Sequence, residues 1–174
     1  GHKKAKMIKS VFEKHSRRQK IPIFWRYIML IRHFKISDVP QILPLMKQLG
    51  YPTTEDQFQQ RMATIQTLPN YQTFVAEEQN IMVGLLGVSL QHFYEHDGTF
   101  VQVGVFIVDQ KFRGQGIGRQ LLVTSEEWAE KHGARKVLIN SGNREERKNA
   151  HQIYSTLGYE AKSIGFVKTI NNRK

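Results

Sequence analysis

The feature that most constrains this chain is the stretch Val105-Phe-Ile-Val-Asp-Gln-Lys-Phe-Arg-Gly-Gln-Gly-Ile-Gly-Arg-Gln-Leu-Leu. An apolar strand runs into a turn holding Gly114, Gly116 and Gly118, then directly into a helix. Glycines at alternate positions let the backbone fold tightly and bring several N–H groups to one point. Those groups open a helix whose positive end favours an anion, and Arg113 and Arg119 add fixed positive charge. Phosphate or pyrophosphate suits such a turn. A dinucleotide fingerprint needs glycine where Arg119 stands, and a Walker loop needs a Gly-Lys-Ser/Thr ending that is absent. What remains is Arg-x-x-Gly-x-Gly, satisfied by Arg113, Gly116 and Gly118. The plain alternative is an ordinary glycine-rich strand-to-helix turn.

The rest of the chain reads as a sheet built around that turn. Ile28 to Phe34 alternates as a first strand, and Ser37 offers a side-chain oxygen ahead of a helical stretch through Leu49. Thr54 and Gln57 form a capping box for a second helix with Phe58, Met62 and Ile65 on one face. Strands follow over Thr73 to Glu77, Ile81 to Gln91 and Phe100 to Val108. The glycine turn opens a helix that runs to about His132, and Lys136 to Asn140 makes another strand. A helix over Lys148 to Leu157 stops at Gly158, and Ser163 to Ile170 closes the sheet. The order is β-α-α-β-β-β-α-β-α-β-β, an α/β (α+β) fold with a mixed central sheet and helices on both faces.

Composition narrows the function. With 174 residues, 40% of them hydrophobic, the chain is one domain's worth and can bury a core. It has no cysteine, which excludes disulfides, thiolate zinc, iron–sulfur sites and a cysteine nucleophile. No pair of histidines with a carboxylate has convincing metal-ligand spacing, so no metal is expected. The longest apolar-looking run, Ile81 to Leu90, is too short to span a bilayer, and Arg26 interrupts the only early candidate for a secretory signal. A cytoplasmic domain with no membrane partner is the expectation. The net charge of +11 sits in a leader: residues 1–28 hold nine of the 26 Lys/Arg and one of the 15 acidic residues, which leaves +3 for the rest. We read 1–28 as a solvated basic extension ahead of a domain over 29–174, and nucleic acid is not the expected partner.

A second motif supports the first. Asn149-Ala-His-Gln-Ile-Tyr-Ser-Thr-Leu-Gly-Tyr159 follows the glycine turn across one intervening strand. Together these stretches resemble the GNAT superfamily of acetyl-CoA-dependent N-acetyltransferases, which pairs Arg-x-x-Gly-x-Gly with Ala-x-x-x-Tyr-x-x-x-Gly-Phe/Tyr. Ala150, Tyr154, Gly158 and Tyr159 fit the second pattern, and the element order from Met29 to Ile170 is similar to the family's. The likeness is greatest to a small-amine branch, such as aminoalkylphosphonate and aminoglycoside acetyltransferases.

The resemblance implies roles. Acetyl-CoA would be the co-substrate, its pantetheine arm paired with the backbone of Phe106, Ile107 and Val108. The N–H groups from Gly114, Gln115, Gly116, Ile117, Gly118 and Arg119, with Arg113 beside them, would take the pyrophosphate. A primary amine of a small molecule would attack the thioester in a ternary complex, with a main-chain N–H near Ile107 or Val108 facing the oxyanion. Tyr154 stands at the position of the general acid; a phenol ionises near pH ~10 and can donate a proton to the leaving sulfur. Asn149 could bind pantetheine, although the commoner family asparagine position is Arg147 here, and Asn143 is a rival.

The general base is not where the resemblance puts it. Many relatives carry a glutamate where this chain has Gly104, so His92, Glu95, His96 or a water are the replacements. Acceptor choice would fall to Gln48–Asp56 and His92–Thr99, where Glu55, Asp56, Glu95 and Asp97 could attract a cationic amine. His151 matches the small-amine branch as a cap or packing residue. A protein amino group as acceptor, or a non-catalytic acetyl-CoA sensor, are the alternatives, and pairing of edge strands suggests a homodimer.

Overall fold

The computed structural model describes residues 29–140 and 148–170. The basic leader 1–28, the segment 141–147 with Asn143 and Arg147, and 171–174 lie outside the described residues. The elements are β1 (Met29–His33), α1 (Val39–Leu49), α2 (Glu55–Gln66), β2 (Tyr71–Glu78), β3 (Ile81–His92), β4 (Thr99–Val108), α3 (Ile117–Lys131), β5 (Val137–Ile139) and α4 (Lys148–Thr156). Single 3-10 turns precede α1 and α3, at Ile36–Asp38 and Gln110–Phe112.

The strands lie in chain order as one five-stranded sheet. β1 to β4 are antiparallel neighbours, and only β4 and β5 run parallel. The β2–β3 hairpin turns on Gln79 and Asn80, both at positive φ, as a tight twisted turn demands. One core lies under α3, from Phe74, Leu86, Val88, Val101, Val103 and Phe106 to Leu121 and Leu122. The other lies under α1 and α2, from Val75, Leu85 and Ile107 to Ile42, Leu45, Phe58 and Met62. The sheet is thus covered on both faces, as the pattern of long apolar strands anticipates.

The capping box at Thr54 forms as expected: Gln57 N–H donates to Thr54 Oγ1 at 3.3 Å, and Thr54 N–H donates to Gln57 Oε1 at 3.4 Å. The cap before α1 does not. Asp38, not Ser37, does the local work, since its Oδ2 accepts the Lys35 N–H at 2.8 Å. Its carboxylate also receives both terminal nitrogens of Arg32 at 2.8 Å, while Arg32 Nε donates to Glu77 at 2.8 Å. This cluster ties β1 to β2 and to the entry of α1. Burial alone would raise the Asp38 pKa; the Arg32 hydrogen bonds and charge, with the Lys35 N–H, outweigh it and hold the carboxyl below its usual range.

The closing strands are the other correction. No strand follows α4 among the described residues, and Ser163–Ile170 is irregular chain without a ladder. Ile164, Phe166, Val167 and Ile170 are each more than three-quarters exposed. Gly165 interrupts the alternation there, and β5 offers a neighbouring edge of only three residues.

Candidate active site

The glycine turn begins where β4 ends. Asp109 caps the 3-10 turn by accepting the Lys111 N–H at 3.0 Å, and Arg113 Nε donates back to Val108 O at 3.3 Å. Gly114 and Gly116 then take φ of 78° and 84°, the left-handed region that favours glycine. A Cβ at either would meet nothing within 4 Å, so both face open space. Gly118 differs. A Cβ there would lie 3.3 Å from Phe106 Cζ, 3.5 Å from Ile153 and 3.6 Å from Val108. Two glycines therefore shape the mouth of the turn, and the third lets α3 pack closely on β4 and α4.

Gly116 is the N-cap of α3 and brings no side-chain cap. Gln120 N–H closes the first helical turn on Gly116 O. The N–H groups of Ile117, Gly118 and Arg119 precede that first intrahelical bond and therefore have no partner within the helix. Ile117 is buried and anchors the turn, while Arg113, Gln115 and Arg119 are exposed around it. The result is an uncapped, positively polarised helix end beneath two glycines, with two guanidinium groups on its rim. Such a cradle fits a pyrophosphate.

Beside it, β4 is left with an open edge. β5 pairs with β4 only from Val101 to Val103. From Gly104 to Val108, the β5 side of β4 has no ladder partner among the described residues. Phe106 packs into the core under α3 and Ile107 into the core under α1 and α2, so the strand is held by its side chains while its backbone edge stays available. The same stretch carries a bulge: Gly87 opposes Val105 and Val88 opposes Val103, which leaves Gly104 unpaired and exposed.

α4 packs beside the start of α3, with Ile153, Tyr154 and Leu157 against the core under that helix. The half-buried Tyr154 ring lies 6.0 Å from Phe106, 6.1 Å from His151 and 6.0 Å from Tyr159. Tyr154, Phe106, Ile107, Val108 and the turn from Arg113 to Arg119 therefore gather at one end of β4. Asn149 lies in α4. Tyr159 folds back beneath it, its N–H donating to Tyr154 O at 2.9 Å. The Tyr159 hydroxyl is buried near Ser125 and Glu126 with no hydrogen-bond partner among the described residues, while Ser125 Oγ donates to Leu122 O at 2.6 Å. Burial pushes its pKa up to about 12.

The proposed replacement bases are not gathered there. His92 pairs with Thr99 on the last rung of the β3–β4 hairpin. That rung is five residues before Gly104, roughly 16 Å along a strand. His96 stacks on Phe93 at 4.1 Å, and Glu95 is exposed on the same tip. The other acceptor segment lies at the opposite end: Gln48 Oε1 accepts the Gln110 N–H at 2.9 Å and ties the end of α1 to the glycine turn. Glu55 and Asp56 sit in the first turn of α2, where they also complement that helix's dipole. Among the described residues no group of three or more His, Asp or Glu could hold a metal ion, and no helix is long and apolar enough to cross a membrane.

Comparison with known proteins agrees with this architecture. The family described as Acetyltransferase (GNAT) family matches residues 40–159. An aminoalkylphosphonate N-acetyltransferase of Salmonella typhimurium is 26% identical over 145 residues, covering 80% of this chain and 90% of that protein. The crystal structure of a GNAT family acetyltransferase of Staphylococcus aureus superposes with a TM-score of 0.71 at 29% identity, covering 82% of this chain and 98% of the other. An aminoglycoside N-acetyltransferase solved with CoA has the same fold, with a TM-score of 0.70 at 20% identity over 86% of this chain and 99% of its own. On the family match over most of its length, the chain belongs to the acetyltransferase (GNAT) family.

Proposed function

We propose that this chain transfers an acetyl group from acetyl-CoA to the primary amine of a small molecule, directly, within a ternary complex. The observation that carries the reading is the continuity of two open features: the glycine cradle at the start of α3 and the edge of β4 from Gly104 to Val108, which has no ladder partner among the described residues. The cradle suits the pyrophosphate, and the edge suits an arm with amide groups. The relatives' names support a small amine: one acts on aminoalkylphosphonates and another on aminoglycosides.

In this reading the backbone of Phe106, Ile107 and Val108 aligns the pantetheine, with Asn149 assisting from α4. A main-chain N–H near Ile107 or Val108 donates to the thioester oxygen as it becomes an oxyanion. The new bond joins the amine nitrogen to the carbonyl carbon, and the carbon–sulfur bond breaks. Tyr154 hands its hydroxyl proton to the departing sulfur. The proton lost by the amine goes to water, since the position beside the reaction is Gly104. That glycine also keeps a second reading open, an acetyl-CoA sensor without turnover.

The test is free-thiol release from acetyl-CoA against aminoalkylphosphonates, amino sugars, aminoglycosides, polyamines and a lysine peptide, with acetyl-CoA binding measured alongside. Turnover on small amines is expected. Turnover on the lysine peptide alone would overturn the substrate class, and binding without turnover on any amine would favour the sensor.

A further inference from the structure

Gly104 is a glycine that the fold does not ask for. Its φ lies outside the left-handed region, and a Cβ added to it would meet only Gly87 O, at an ordinary 3.9 Å. Its neighbour across the sheet is constrained: a Cβ on Gly87 would lie 2.7 Å from Val105 Cγ1. Gly87 answers to packing, whereas Gly104 only keeps a notch open, on an exposed bulge where β4 has no ladder partner on its β5 side among the described residues.

The register shows what surrounds the notch. Val75, Leu85 and Ile107 form a row facing α1 and α2. Alternation carries that face along the strands, away from the helices. The next row is Thr73, Gly87 and Val105, and the row after it is Tyr71, Ser89 and Gln102, each opposite the next. Past the helix-covered core these two rows carry hydroxyls and an amide and no charged group; Thr73 and Ser89 are buried, Ser89 Oγ accepts from Gln91 Nε2 at 3.3 Å, and Tyr71 and Gln102 are the members that reach the surface. Gln102 Nε2 is fixed by Val103 O and Leu138 O at 3.2 and 3.3 Å, which leaves its Oε1 without a hydrogen bond among the described residues. Tyr71 is 42% exposed.

We infer that the notch at Gly104 and the side chains of Tyr71 and Gln102 form the floor of the acceptor site, and that this floor selects amines bearing hydroxyl groups over amines bearing a phosphonate. The inference rests on the transferase reading above. A substrate hydroxyl can donate to Gln102 Oε1 and can exchange donor and acceptor roles with the Tyr71 hydroxyl. Among the described residues a phosphonate would find no cation on this strip. The glycine notch leaves room for a ring beside the reacting nitrogen.

The experiment compares glucosamine with 2-aminoethylphosphonate as acceptors for the full chain, for Gly104→Val and for Gln102→Leu. Glucosamine should give a kcat/KM at least ~10-fold above the phosphonate. Each variant should lower glucosamine kcat/KM by roughly 10-fold through KM, with the acetyl-CoA Kd within about 2-fold and Tm not reduced. If Gly104→Val unfolds, Gln102→Leu carries the test alone. A phosphonate preferred over the sugar, or a glucosamine KM unmoved in the folded variants, would overturn the inference and leave the transferase reading intact. Acetyl-CoA binding with no thiol release from any amine would overturn the transferase reading, and this inference with it.

Discussion

Gly116→Ala separates the backbone's need for glycine from the ligand's. At φ 84° an alanine is strained, by about 1–2 kcal/mol for a residue forced into the left-handed region. No packing cost adds to this, because the new Cβ meets nothing within 4 Å. For a chain of this length about 1 kcal/mol moves Tm by roughly 2–4 °C, so a loss of about 2–8 °C is expected by differential scanning calorimetry. The same methyl group stands at the mouth of the cradle, over the N–H groups of Ile117, Gly118 and Arg119. A hydrogen bond to a charged group contributes about 1.5–3 kcal/mol. Displacing one of them should weaken acetyl-CoA by about 10- to 150-fold in titration calorimetry. Tm falling as stated while acetyl-CoA affinity stays at the wild-type value would refute the placement of the pyrophosphate.

Other expectations follow from the same geometry. Tyr154→Phe should lower thiol-release turnover by about 10²-fold and leave acetyl-CoA affinity nearly unchanged; a wild-type rate would remove its role as acid. Tyr159→Phe removes a buried hydroxyl that lacks a partner, so chemical denaturation should find stability unchanged or raised by about 1 kcal/mol, and a clear loss would reveal a hydrogen bond. Asp38→Asn should cost about 1–3 kcal/mol near neutral pH, tempered because Arg32 is one-fifth exposed. The folded pKa of Asp38 is depressed, so its contribution is present above the unfolded carboxyl value of about 3.9 and is lost as pH falls through the folded value. The wild type should therefore lose more stability than Asp38→Asn on going below pH ~4; parallel losses would contradict the linkage.

The parts of the site that were legible in the sequence are local in the chain. Gly114, Gly116 and Gly118 lie within five residues of one another, and a strand, a turn and a helix cap follow from them directly. The sequence did not show that the three glycines serve different ends, because the role of Gly118 depends on Phe106 and Ile153 arriving from elsewhere. The open edge of β4 was equally hidden. Among the described residues β5 pairs with β4 over only three positions, and pairing across a long connection leaves no local mark. Gly104 stood out as a missing carboxylate, but only the register makes it a bulge. Ser37 and Asp38 are adjacent and both can cap; Arg32, six residues earlier and fixed on β1, decided between them. At the other end, Ile164, Phe166, Val167 and Ile170 read as a strand by composition, yet a strand forms only on an edge that accepts it.

The most direct test of the account is backbone hydrogen exchange on the full chain with and without acetyl-CoA. The account predicts slowed exchange in two segments at once, the cradle from Gly114 to Arg119 and the β4 edge from Gly104 to Val108, with little change at the His92–Thr99 tip. Protection confined to other segments, or none at an acetyl-CoA concentration that saturates binding, would contradict the placement of acetyl-CoA between the glycine turn and the open strand.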